Sequence, residues 1–337
     1  MVKAVVLRQH GSIGALRVET DWQPKPPGAE DVLLRVRACS LNYHDIFTIR
    51  GMPGIKLDLP VVPGNDVAGE ILELGTAVEG WHPGDRVLLN PVYPGRGLMG
   101  EMLDGGLAEV CRAHHSQLIR IPAAVTFAQA AALPVAYGTA HRMMMTKGRI
   151  AAGERVLILG ASGGVGTCCV MLAKQQGCEV VACARGAEKA AQLKALGADH
   201  VIDYGEVDFM KEVWRRFGKP DRRVEKGGVD VVVNYTGGDT WIPSLRVLKK
   251  GGRLLCCGAT AGFDPKEDLR FLWTYELELI GSNGWKPADL QALLAMVESG
   301  RMAPPIDREY SLDDGVVALQ ALEDRAFFGK IIVAPNS

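Results

Sequence analysis

The sequence predicts an α/β protein in which a doubly wound parallel sheet is joined to a second, mainly β domain. Three observations carry this. Strand-like and helix-like segments alternate from about residue 126 to 283. A glycine-rich turn, Gly160-Ala-Ser-Gly163-Gly164-Val-Gly166, joins one of those strands to its following helix. Before residue 126 the chain shows short β-like runs broken by Gly and Pro.

The first domain opens with β-like runs at 2–8, 32–38, 67–74 and 86–89. Turns at Pro26-Pro27-Gly28 and Pro83-Gly84-Asp85 separate them, and no long helix pattern intervenes, which predicts a small barrel. A helical segment covers 127–147, with Met143, Met144 and Met145 as packing residues. Strands follow at 156–159, 179–183, 200–203, 229–233, 253–257 and 278–281. Helices fall near 164–176, 187–195, 206–217, 239–249 and 267–274, the alternation of a parallel sheet. The basic run 214–226 contains acids and reads as a solvated helix end and loop. Two helices, at 289–300 and 313–324, and strands at 308–310 and 330–333 form a tail expected to rejoin the first domain. Residues 1–136 and 284–337 are therefore assigned to one discontinuous domain, and 137–283 to the other.

The length of 337 residues suits two domains, and 47% hydrophobic with 23% charged residues is an ordinary globular composition. A net charge of −1 gives no electrostatic case for nucleic acid or an anionic membrane surface. No apolar run approaches the roughly 20 residues of a spanning helix. Met1-Val2-Lys3 leads straight into a β-like run, which predicts no signal peptide and a cytoplasmic protein. The cysteines at 39, 111, 168, 169, 178, 183, 256 and 257 lie mostly in apolar patterns without a CxxC pair. They are expected to be reduced and buried.

The glycine turn carries the first functional signal. Strand, tight turn and helix start make an anion site, because glycines let the backbone approach a pyrophosphate and free helix N–H groups point at it. Ser162, Gly163, Gly164, Val165 and Gly166 are the candidate contacts. Ala161 stands where the strict dinucleotide fingerprint wants glycine, and the competing explanation is that these glycines only permit close strand–helix packing.

The chain resembles the medium-chain dehydrogenase/reductase superfamily over essentially its whole length. The resemblance rests on Pro63-Gly-Asn-Asp-Val-Ala-Gly69, Gly84-Asp-Arg-Val87, Asp104-Gly-Gly-Leu-Ala-Glu109 and Ala161-Ser-Gly-Gly-Val-Gly166. Glu188-Lys189, Leu196-Gly-Ala-Asp-His-Val-Ile-Asp-Tyr204 and Gly329-Lys330-Ile-Ile-Val333 extend it. It looks closest to the zinc-independent quinone oxidoreductase-like branch. That implies a GroES-like β-barrel domain plus a Rossmann domain, an active site in the cleft between them, and a homodimer built on the edge strand at 277–280.

Zinc members of the superfamily hold a catalytic metal with a cysteine, a histidine and a second cysteine. The matching positions here are Asn42, Asn65 (with Asp66 beside it) and the neighbourhood of Val135, and neutral amides are poor zinc ligands. The segment 91–106 lacks the four cysteines of the structural zinc. The resemblance thus implies a metal-free enzyme. Alcohol oxidation would lose the group that lowers the alcohol's pKa. A quinone or α,β-unsaturated carbonyl delocalises the arriving negative charge and needs only hydrogen-bond donors at its oxygen.

No acid ends the second strand of the parallel sheet; Arg185 follows it, with Lys189 and Tyr204 nearby. With Tyr204 placed at the adenosine phosphate by the resemblance, these three suit the 2′-phosphate of NADPH, unless the two cations are merely solvated. The resemblance adds Gly258, Ala259 and Asn283 as backbone neighbours of the nicotinamide. It places the reacting centre at Asn42, His44 and Asp45. Asn42 either donates to the substrate carbonyl or nicotinamide ribose, or caps its own turn. His44 either protonates the enolate or phenolate, or is a hydrogen-bonded histidine at the domain edge. Asp45 is expected mainly to fix neighbouring loops.

Phe47 stands where several quinone reductases have a tyrosine, which leaves the proton to His44, Tyr43 or solvent. Tyr93 and Tyr137 are spare phenols for the cleft, and loops 50–59 and 92–102 are expected to line an apolar substrate pocket. The leading expectation is an NADPH-dependent reductase of quinones or other electron-poor acceptors. A carbonyl reductase or alcohol dehydrogenase on aldehydes and ketones, and a non-catalytic nucleotide-binding protein, are the alternatives.

Overall fold

The computed structural model describes residues 1–52 and 56–335; residues 53–55 of the expected pocket loop 50–59 lie outside the described residues. Two compact units are formed, Met1–Tyr137 with Pro287–Ser337, and Gly138–Lys286. None of the described helices is long and apolar enough to cross a membrane.

The second unit is a six-stranded parallel sheet. Its strands are Arg155–Ile158, Glu179–Ala184, His200–Asp203, Val229–Val233, Leu248–Cys256 and Glu278–Gly281. Counted in chain order, they lie 3-2-1-4-5-6. Val156, Leu157 and Ile158, like Val231, Val232 and Val233, are wholly buried, as expected where helices cover both faces of a sheet. The reversal of strand order beside Arg155–Ile158 opens a crevice at the strands' carboxyl ends, where such sheets bind ligands. The fifth strand begins at Leu248, ahead of the expected 253. Its first half contains Gly251 at φ +74° and a register irregularity, which hide it from an alternation pattern.

The first unit is built on a mainly antiparallel sheet. Its path runs Ile306–Ser311, Lys330–Ala334, Asp31–Ser40, Asp66–Leu74, Arg86–Leu89 and Leu118–Arg120, and Val110–His114 also pairs with Asp31–Ser40. The tail strand Lys330–Ala334 meets Asp31–Ser40 through Ile332 opposite Ser40 and Val333 opposite Cys39. A short helix, Tyr43–Arg50, interrupts the β pattern, with Ile46 and Ile49 buried one turn apart. Polar and aromatic residues between them leave no clear apolar stripe to read in the sequence. The segment 127–147 is helical in four pieces, two of them wide-turned, with Met143 and Met144 buried.

Candidate functional site

In the first unit, polar side chains gather where Asp31–Ser40 ends. Leu41 N–H donates to Ile331 O at 3.0 Å, holding the strand end against the tail strand. Asn42 then starts the helix Tyr43–Arg50 and is only 6% exposed. Its Nδ2 donates to Asp66 Oδ2 at 2.8 Å and weakly to Ser40 O at 3.4 Å, and its Oδ1 accepts from Lys330 Nζ at 2.6 Å. Lys330, 2% exposed, also donates to Leu41 O at 2.8 Å and lies 3.7 Å from Asp66 Oδ2. Asp66 Oδ1 accepts from Val135 N–H at 2.9 Å.

Asp45 is fully buried and accepts from Asn42 N–H at 2.7 Å and Gly64 N–H at 3.1 Å, so it ties the helix start to the Pro63-Gly64-Asn65 turn. Burial raises the pKa of both carboxylic acids, Asp66 to about 6 against the pull of Lys330 and its hydrogen bonds. Burial lowers that of Lys330, opposed by Asp66 and Asp45. Asn65 lies beside them, its Nδ2 donating to Met99 O at 2.6 Å.

His44 faces outward from the same helix start, 28% of its side chain exposed, and its Nε2 pairs closely with the buried carboxylate of Glu101. Burial favours the neutral ring, but the hydrogen bond and charge of Glu101 outweigh it and leave the His44 pKa raised. An imidazole so held is a proton store with one nitrogen fixed.

In the second unit, the expected cofactor residues fall at the carboxyl ends of the sheet strands. Gly160 takes φ +63° after Arg155–Ile158, and the helix Gly164–Gln175 starts from Gly163. A Cβ on Gly166 would stand 2.5 Å from Ala161 Cα, so that glycine serves strand–helix contact. A Cβ on Gly163 would meet nothing nearer than Gly160 O at 3.9 Å, which leaves open space in front of the turn. Ala161 is buried and donates its N–H to Cys183 O at 2.9 Å. Tyr235, from the loop after Val229–Val233, donates its hydroxyl to Gly160 O at 2.6 Å and braces the turn from behind.

Arg185 follows Glu179–Ala184 and sets its guanidinium 5.7 Å from the Tyr204 ring centre, both side chains exposed. Lys189 lies on the next helix, Ala187–Ala195. Asp203, at the end of the neighbouring strand, is committed to backbone, accepting from Gly186 N–H and Gly205 N–H. Gly258 and Ala259 follow Leu248–Cys256, and Asn283 follows Glu278–Gly281. Ser162 and Val165 complete the turn.

The family described as "Alcohol dehydrogenase GroES-like domain" matches residues 28–123, and that described as "Zinc-binding dehydrogenase" matches 164–299. The quinone oxidoreductase of Mus musculus is 30% identical over 96% of this chain and 94% of its own. The chain belongs to the medium-chain dehydrogenase/reductase superfamily, in its quinone oxidoreductase-like branch. The chain is also similar to the acryloyl-coenzyme A reductase of Metallosphaera sedula, 29% identical over 98% of this chain and 99% of that protein. A 2-octenoyl-CoA carboxylase reductase solved with NADP and 2-octenoyl-CoA superposes with a TM-score of 0.85 at 27% identity. That likeness covers 99% of this chain and 87% of the other. The protein is an oxidoreductase of this superfamily.

Superfamily membership raises the catalytic zinc, and the residues at its positions do not fit one. Asn42 turns its only side-chain acceptor to an ammonium, Asn65 is an amide, and Val135 offers Asp66 an N–H, which is a donor. A metal ion would meet the Lys330 charge in the same cluster. One other group of potential ligands exists among the described residues, Glu30, His114 and His115, at an exposed strand end. There Tyr93 stacks on His114 at 4.6 Å. Tyr137 is fully buried, and Phe47 packs edge-on to Tyr43 at 5.3 Å.

Sequence reasoning in this superfamily member missed Lys330, Glu101 and Tyr235. Lys330 did leave a signal, as a lone charge opening an apolar strand, Lys330-Ile-Ile-Val-Ala334. Glu101 and Tyr235 lie in irregular segments and left none.

Proposed function

We propose that this protein is a metal-independent, NADPH-dependent reductase of quinones or other α,β-unsaturated carbonyl compounds. The observation that carries the reading is His44, a partly exposed imidazole hydrogen-bonded to Glu101, which raises its pKa, beside a buried network of amide, ammonium and carboxylates. The named activities of the mouse quinone oxidoreductase, the acryloyl-coenzyme A reductase and the 2-octenoyl-CoA enzyme support the acceptor class.

NADPH, when bound, supplies a hydride to the electron-poor carbon of the acceptor, whose electron pair then rests on its oxygen. The open face of Gly163 and the first turn of Gly164–Gln175 would hold the pyrophosphate, with Ser162, Gly164, Val165 and Gly166 shaping that turn. Arg185, Tyr204 and Lys189 would hold the 2′-phosphate, a role favoured by the absence of an acid at the end of Glu179–Ala184. Gly258, Ala259 and Asn283 would border the nicotinamide.

His44 keeps Nε2–H on Glu101 and gives its Nδ1 proton to the acceptor oxygen. Both Nδ2 hydrogens of Asn42 are already engaged, so Asn42 acts by positioning, as does Asp45. The test is NADPH oxidation with a panel of ortho-quinones, enones and enoyl thioesters, set against simple ketones and alcohols. Turnover confined to the simple ketones and alcohols, or absent throughout, overturns the reading.

A homodimer is part of the proposal. Among the described residues Glu278–Gly281 ends the parallel sheet with one neighbour, and Leu279, Trp273 and Leu269 stand exposed on it and on the preceding helix Leu269–Tyr275. An unpaired apolar edge is a template for pairing with a second copy.

A further inference from the structure

Two of the positions that carry ligands in zinc members, Asn42 and Val135, are linked in this chain by hydrogen bonds through Asp66. Asn42 reaches Asp66 through Nδ2 at 2.8 Å, and Asp66 reaches Val135 N–H through its other oxygen at 2.9 Å. Lys330 Nζ caps the arrangement at Asn42 Oδ1, 2.6 Å away, and stays within 3.7 Å of Asp66. The Asn42 carboxamide thus lies between an ammonium on its oxygen and a carboxylate on its nitrogen. Each charge polarises the amide toward the other, so the links strengthen together.

We propose that Lys330 is a positioning residue of the reductase centre, a fixed internal cation that holds the Asn42–His44 helix start to Asp66 and, through it, to the segment at Val135. This rests on the reductase function proposed above. Lys330 does not touch substrate; it acts through Asn42, two residues before His44.

Two features separate positioning from plain fold stabilisation. Buried ion pairs gain little stability over a well-packed apolar set of similar volume, so three buried polar groups are a poor way to fill this corner for stability alone. They also converge on the helix start that carries the partly exposed imidazole, where Asp45 and Asn65 are buried as well, beside the aliphatic Leu41, Ile46, Val67, Ile331 and Val333. Lys330 comes from the tail of the chain, and its strand is anchored on both sides by Ile306–Ser311 and Asp31–Ser40, so its stem is set by the sheet.

Lys330→Met alone strands Asp66 and is expected to lower the melting temperature. The informative variant is therefore Lys330→Met with Asp66→Asn, which removes both charges and leaves amide-to-amide and amide-to-Val135 hydrogen bonds available. This double variant should fold, bind NADPH with unchanged affinity, and lose at least tenfold in kcat with the KM for NADPH unchanged. Lys330→Arg, which keeps the charge, should stay within about threefold of wild-type kcat.

The His44 imidazole resonance, assigned by its loss in His44→Gln, should move in the double variant and stay in place in Lys330→Arg. That readout holds whether or not an acceptor has been found. Wild-type inactivity on every acceptor therefore counts against the reductase reading, and an unmoved resonance counts against this one. A double variant with kcat within twofold of wild type overturns the proposal. So does one that fails to fold, because the pair's work is then structural.

Discussion

Covering a histidine ordinarily makes it surrender its proton, and His44 resists because Glu101 is itself buried against it. A raised pKa keeps the acid form present to higher pH, so proton donation is available below that pKa and fades as pH rises through it. Glu101→Gln should therefore move the alkaline limb of the kcat/KM profile to lower pH, while His44→Gln should cost about 100-fold in kcat. Stability follows the same sign. The pair's contribution is complete below the ordinary imidazole value of about 6.5 and declines as pH climbs through the raised one, measurable as melting temperature against pH. Arg185 is tested by cofactor choice. A lost charge-assisted contact is worth about 1.5–3 kcal/mol, so Arg185→Ala should raise the KM for NADPH roughly 10- to 100-fold and leave that for NADH unchanged.

Among the elements, the glycine turn separates two kinds of glycine that look alike in the sequence. Gly166→Ala forces a Cβ to 2.5 Å from Ala161 Cα and should destabilise the second unit by about 1–3 kcal/mol in thermal unfolding. Gly163→Ala finds open space at an ordinary φ of −87° and should leave the melting temperature alone while weakening NADPH binding by fluorescence titration. The turn itself was legible, because strand, glycines and helix are contiguous and local chemistry specifies them. The centre of the first unit was legible only in part. Asn42, His44 and Asp45 were visible together, but their partners come from 24, 57 and 288 residues away. Separations of that size leave no periodicity to read. Asn42 illustrates the cost: its residue type left donation to a ligand and a turn cap both open, and it proves to be an N-cap whose donors also reach Asp66 and Ser40.

At the scale of the whole molecule, regular alternation made the parallel sheet and its strand sequence readable, while the short helix Tyr43–Arg50 was masked by a mixed pattern. Saturating the second unit with NADPH at about 100 times Kd should stabilise it by about 2.7 kcal/mol, seen as an upward shift of its melting transition. Leu279→Lys places a charge on the open sheet edge and should turn a dimer into monomers in light scattering.

The order of manufacture follows from the strand path. The carboxyl end of Asp31–Ser40 pairs with Lys330–Ala334, and the latter leaves the ribosome only after the whole Gly138–Lys286 unit. The nascent N-terminal lobe therefore waits with Cys39 and Ser40 missing their tail-strand partner and Asp66 lacking its counter-ion, while the nucleotide-binding unit completes itself. A nascent chain stalled before residue 306 should display a protease-resistant second unit and a chaperone-bound, cleavable first one.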